Sequence, residues 1–113
     1  DDWRTASYYR YWMHMAHNLA VPAHFGIRSQ RYKLIFFYGT DENGSEKGRT
    51  PVAWEFYDLQ EDPSEMRNLY DDPGYQDIIA GMKLQLAKTR EELSETDAAR
   101  PAVQVVIDAN WNN

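Results

Sequence analysis

The run Tyr32-Lys33-Leu34-Ile35-Phe36-Phe37-Tyr38 limits the possible folds of this chain more than any other stretch. Aromatic and β-branched residues favour extended backbone, so the run reads as a strand. A strand with one wet face alternates apolar and polar residues. This one does not: Leu34 and Phe36 would face one side, Ile35 and Phe37 the other. Any sheet built around it therefore needs cover on both faces. One helix of this chain can supply one cover, and the second face points to a surface that meets something else.

The flanking sequence supplies the rest of a sheet. Residues 5–13, rich in Tyr and Trp, read as a strand, and 14–22 as a loop that ends in Val21-Pro22, where proline disfavours helix at the residue before it. A short strand is expected over 24–29, a turn at Ser29-Gln30-Arg31, and a polar hairpin loop over 39–51, followed by a last strand over 52–58. Asp72-Pro73 has the chemistry of a helix start, an acceptor for free amides followed by a proline. Tyr75, Ile78, Ile79, Met82, Leu86 and Leu93 then fall at helical spacing, with Lys88 and Glu92 on the polar side. That helix is expected to end near Ser94–Asp97. Beyond Pro101, Val103–Ile107 reads as a short extra strand or a tail. The fold class is α+β: a small antiparallel sheet of about four strands with one long C-terminal helix on one face. Residues 1–97 form the domain and 98–113 a tail, either a short strand or disordered.

A chain of 113 residues suits one small domain with a modest core. Its net charge of −6, from 12 basic and 18 acidic residues, argues against a nucleic-acid partner, because phosphate binding needs a basic field. With no cysteine, a disulfide framework, a zinc knuckle and a thiol nucleophile are excluded in this chain. No apolar run reaches the length of a membrane span. A start at Asp1 rather than Met fits a fragment or a mature segment.

Few residues are candidates for chemistry. His24 and Arg28 sit in His24-Phe25-Gly26-Ile27-Arg28, where Gly26 allows a close approach to the backbone. Arg28, Arg31 and Lys33 suit either an anion clamp or, as the favoured reading, ion pairs with Glu61, Asp62 and Glu65. His14 and His17 are three apart, but with no cysteine near and Pro22 close behind, a loop contact is favoured over a metal site. The carboxylate pairs Asp41-Glu42, Asp71-Asp72 and Glu91-Glu92 lie in loops or on a solvated helix face, without a pocket to shift their pKa values. Asp62, Ser64 and Asn68 are expected to satisfy backbone groups in a turn.

Three of these segments also carry a family resemblance. Tyr57-Asp58-Leu59, Asp62-Pro63, Glu65 and Asn68-Leu69 follow the pattern Tyr-Asp-Leu-x-x-Asp-Pro-x-Glu-x-x-Asn-Leu. With the upstream His24–Arg28 and Arg31-Tyr32-Lys33-Leu34-Ile35 strands, the chain resembles the C-terminal subdomain of formylglycine-dependent sulfatases over about residues 7–95. The most similar of these act on 6-sulfated N-acetylglucosamine. The resemblance implies that the His24 strand lies near the mouth of the catalytic pocket, with His24, His17 and Arg28 as candidate substrate contacts. It implies a sulfated sugar and the catalytic domain of the same parent chain as partners, a calcium ion for the parent, and a periplasmic or secreted location. The formylglycine precursor Cys/Ser-x-Pro-x-Arg does not occur in this sequence, and no acidic constellation fits the calcium site. No catalytic residue, metal ligand or cofactor is therefore assigned to this chain, and alone it is expected to be inactive toward sulfate esters. Two other readings remain at this stage. One is a stand-alone carbohydrate-binding or protein-interaction module using Tyr8, Trp12 or Trp54. The other is an oligomerisation domain that dimerises through the uncovered sheet face.

Overall fold

The computed structural model describes residues 7–11, 24–38, 52–92 and 101–113. Four strands, β1 (Ser7–Tyr11), β2 (His24–Arg28), β3 (Tyr32–Phe37) and β4 (Ala53–Asp58), form one sheet in the order β1-β2-β3-β4. All neighbours are antiparallel, the arrangement expected when consecutive strands are joined hairpin-fashion. The turn between β2 and β3 closes where Ser29 N donates to Tyr32 O at 2.9 Å and Tyr32 N donates to the Ser29 hydroxyl at 2.9 Å.

Strand period two sorts every side chain to one face. Cross-strand rows Phe25–Phe36–Trp54 and Ile27–Leu34–Phe56 face the helices. All six are 5% exposed or less. Gln76–Glu92 forms α1, introduced by a 3-10 turn at Pro73–Tyr75 whose Asp72 cap accepts from Gly74 N at 2.8 Å. The apolar stripe of α1 is buried through Ile79, Met82 and Leu86, and Lys88 meets Glu92 at 4.0 Å on the wet side. Leu93 lies outside the described residues. One buried position breaks the stripe: Arg90 lies with its guanidinium carbon 4.1 Å from the Phe25 ring centroid, covering an aromatic face with a cation.

The segment after Pro101 corrects the expectation of a strand. Pro101–Asn110 is a second helix, α2. A strand would have turned Val103, Val105 and Ile107 to the same side. Instead Val103 and Ile107 are fully or almost fully buried while Val105 is 66% exposed, the i,i+4 pattern of a helix. β-Branched residues favour strands by propensity alone, but burial of one helical face overrides that preference. Both helices feed one core cluster, so they lie on the same side of the sheet. Trp111 packs against Phe25, Phe36 and Trp54, while Trp54 Nε1 donates to Asn110 O at 3.0 Å. Lys83 Nζ donates to Trp111 O at 2.6 Å. Carbonyls at the end of α2, which helix geometry leaves without partners, are thus satisfied by two side chains of the core.

β4 is an edge strand, and the turn after it covers that edge. Asn68 accepts from Phe56 N at 2.9 Å and donates to Trp54 O at 3.2 Å, while Leu69 N donates to Phe56 O at 2.8 Å. Edge amides that would invite a foreign strand are filled by the chain itself. Asp62 accepts from Met66 N and Arg67 N at 3.0 and 2.9 Å. The backbone role expected for Asp62 and Asn68 is what they perform. None of the described helices is long and apolar enough to cross a membrane.

Candidate substrate-facing site

The sheet's second face carries His24, Gly26 and Arg28 of β2, Lys33, Ile35 and Phe37 of β3, Glu55 and Tyr57 of β4, and Ser7 and Tyr9 of β1. Among the described residues neither helix contributes to its cover. Ile35 is only 5% exposed, in the cross-strand row Tyr9–Gly26–Ile35–Glu55. His24 and Phe37 are half-buried and Arg28 is exposed. The face is therefore mixed, with a half-covered aromatic centre and charges around it.

His24 sits between two rings. Its imidazole centroid is 5.0 Å from Phe37 and 6.1 Å from Tyr9, edge-on at 75°. The close approach allowed by Gly26 is made by Tyr9: a Cβ at residue 26 would come within 2.7 Å of the Tyr9 hydroxyl and 2.5 Å of Leu34 O. The Tyr9 hydroxyl is buried, with no hydrogen-bond partner among the described residues, and burial, then Glu65, raises its pKa well above the usual phenol range. Arg28 shares this face with His24, about 13 Å further along the strand at the usual rise per residue. His14 and His17 fall outside the described residues.

The basic residues of the β2–β3 hairpin find different partners. Lys33 Nζ meets Glu65 Oε1 at 2.8 Å, as the favoured reading expected. Arg31 instead makes two bonds of 3.0 Å to Asp58, and Arg28 has no ion pair among the described residues. Asp58, the Asp of the Tyr-Asp-Leu motif, also accepts from Tyr75 OH at 2.8 Å and has no exposed side-chain surface. Its pKa is lowered, chiefly by the bonds from Arg31. The motif's Asp58 thus joins the β2–β3 turn, the end of β4 and the helix start. Glu65 reaches Lys33 from a left-handed backbone with φ 54°, a region that L-residues other than Gly, Asn and Asp enter rarely.

The aromatic platforms of the glycan-module reading are committed elsewhere. Trp54 is 5% exposed, stacked on Tyr70 at 5.8 Å and 5°, with Lys83 Nζ 4.4 Å from its ring centroid. Tyr8 packs against the core cluster, and Trp12 lies outside the described residues. Sequence reasoning missed Tyr9, Phe37, Asp58 and Lys83. Tyr9 was findable only through register: a tyrosine opposite a strand glycine fills the space the glycine leaves.

Comparison with known proteins identifies the fold's lineage. A family model described as N-sulphoglucosamine sulphohydrolase, C-terminal, matches residues 1–92. The chain belongs to this family of sulfatase C-terminal domains. It is 33% identical over 96 residues to the N-acetylglucosamine-6-O-sulfatase of Bacteroides thetaiotaomicron, covering 85% of this chain and 15% of that protein. The solved structure of BT4656 in complex with its substrate, D-glucosamine-2-N,6-O-disulfate, superposes with a TM-score of 0.69 at 33% identity, over 85% of this chain and 17% of that one. The sulfatase domain therefore spans about one-sixth of the length of these relatives. All of α2 lies beyond the family match. Among the described residues no group of three or more His, Cys, Asp or Glu is placed to hold a metal ion, so a calcium ion would find no ligand set in the part of the domain described.

Proposed function

We propose that this domain is the C-terminal part of a sulfatase acting on sulfated glucosamine-type sugars such as N-acetylglucosamine 6-sulfate. In this reading the sheet's second face docks on the catalytic part of the parent chain. It brings His24, with Arg28 further along the same strand and His17 from the segment before it, to the rim of the substrate pocket. The nucleophile and the calcium ion belong to the rest of the parent, whose location is periplasmic or secreted. The observation that carries the reading is the second face itself. It holds a half-covered aromatic centre with a histidine in it and, on the same strand, an arginine with no ion pair among the described residues, left uncovered by both helices. Interface centres combine aromatic anchors with polar rims in this way. His24 can donate to or accept from a sugar hydroxyl, and Arg28 suits a sulfate oxygen.

The test uses the full-length protein and N-acetylglucosamine 6-sulfate. The intact protein is expected to release sulfate and the isolated 113-residue chain to release none. Loss of one hydrogen bond in His24→Ala is expected to raise KM about tenfold. Sugar binding by the isolated chain in calorimetry, together with a full-length protein that releases no sulfate, would instead favour a stand-alone binding module. A concentration-dependent dimer of the isolated chain would show that the second face can pair with itself once its natural cover is removed.

A further inference from the structure

We propose that Tyr9 and Phe37 are positioning residues for His24, holding its imidazole in one orientation before substrate arrives. This rests on the reading of His24 as a substrate contact and goes beyond it by naming what orients the ring. The register places Tyr11, His24 and Phe37 in one cross-strand row and Tyr9, Gly26 and Ile35 in the next. Tyr9 is thus the diagonal neighbour of His24, a separation that an aromatic side chain can span. It does so because residue 26 has no Cβ: the Tyr9 ring carbon bearing the hydroxyl would lie 2.9 Å from one. Tyr9 then meets the imidazole edge-on at 6.1 Å, while Phe37 tilts against it at 5.0 Å from the other neighbouring strand.

A histidine side chain has only two rotatable bonds, and ring contacts from both neighbouring strands exclude most of its rotamers. An imidazole fixed in advance meets a sugar hydroxyl without first losing conformational freedom. The benefit should appear in substrate binding rather than in turnover, because His24 in this reading touches the bound sugar and not the reacting sulfate ester. The Tyr9 hydroxyl has no hydrogen-bond partner among the described residues, so the ring, and not the hydroxyl, carries the effect.

The experiment compares His24→Ala, Phe37→Leu, Tyr9→Leu and Tyr9→Phe in the full-length protein. KM and kcat for N-acetylglucosamine 6-sulfate are measured alongside histidine-selective NMR of the His24 ring. Phe37→Leu and Tyr9→Leu are expected to raise KM by about three- to fivefold with kcat within about twofold, and to shift the His24 ring signals. Tyr9→Phe is expected to bring both readouts back. If His24→Ala raises KM while Phe37→Leu and Tyr9→Leu leave KM and the ring signals alone, the positioning role is wrong and the substrate-contact reading stands. If His24→Ala leaves KM unchanged, the substrate contact fails and the positioning role fails with it. Should Tyr9→Leu not fold, Phe37→Leu at its half-exposed site decides the question alone.

Discussion

Both faces of the β3 strand carry apolar residues in sequence, and they end differently in the structure. On the helix side, Leu34 and Phe36 have no exposed surface. Phe36 touches rings of Phe25, Trp54 and Trp111 within 6.3 Å. On the other side, Ile35 is 5% exposed, but Phe37 is half-buried beside His24, and Lys33, Glu55, Tyr57 and Arg28 share the face further along. One face is a finished core. The other has charged and aromatic residues interleaved, a surface that can be wet until a partner closes it. A strand with apolar residues on both faces therefore signals two covers without requiring that both come from the same chain.

The sharpest way to break this comparison is a pair of substitutions one residue apart. Phe36→Ala removes a fully buried ring and is expected to lower stability by about 4 kcal/mol. Phe37→Ala is expected to cost less than about 1 kcal/mol in the isolated chain, since its site is already partly open. Urea unfolding of both variants reads the difference directly. Equal losses would mean that the second face is as closed as the first, and that no docking surface is left there.

Polar anchoring gives the next largest contrast. Asp58 is buried under Arg31 and Tyr75, so Asp58→Asn leaves those donors poorly matched and is expected to cost about 3 kcal/mol at neutral pH. The sign of the pH dependence follows from its lowered pKa. A carboxyl whose folded pKa lies below its unfolded value of 3.8 contributes stability above that value and loses it as pH falls through the folded pKa. The wild-type chain should therefore lose stability in the acid range below about pH 4. The Asp58→Asn chain should lack that part of the decline. A parallel decline in both would assign acid sensitivity to other carboxylates.

What was legible in the sequence follows the same division between local and tertiary causes. The strands, the Asp72-Pro73 helix start and the turn role of Asp62 and Asn68 depend on neighbours within a few residues, and each appeared where its pattern placed it. α2 did not, because Val103, Val105, Val106 and Ile107 favour strand locally. Only the core waiting under Val103 and Ile107 selects the helix. Arg90 and Lys83 were invisible for a related reason. A cation on a helix reads as solvated until the aromatic rings it covers, Phe25 and Trp54, are brought beside it. The placement of His24 and Arg28 on one face was readable from strand period. The rings beside His24 were not, since β1 and β2 lie twelve residues apart in sequence and their register is a tertiary fact.

Gly26 tests a point where the second face is tightly packed. A methyl group there would lie 2.5 Å from Leu34 O, a backbone atom of the central strand, and 2.7 Å from the Tyr9 hydroxyl, so relief requires both the sheet and Tyr9 to move. Gly26→Ala is expected to cost about 2 kcal/mol and to displace the Tyr9 ring. A cost near zero would show that the sheet and Tyr9 both give way freely, and that the Tyr9 contact with His24 is loose.

The smallest effect lies in the second face's own ion pair. Lys33 and Glu65 meet at 2.8 Å with side chains 20% and 33% exposed, so solvent screens them far more than it screens Asp58. A double-mutant cycle with Lys33→Met and Glu65→Gln is expected to give a coupling below about 1 kcal/mol, smaller still in concentrated salt. Glu65 is held at φ 54°, and an L-residue in that conformation offsets part of what the pair contributes. A weak pair there leaves the second face free to exchange its partners when another surface docks. A coupling above about 2 kcal/mol would be of the order found for buried pairs. It would make this face a self-contained structure and remove the main physical reason for giving it a partner.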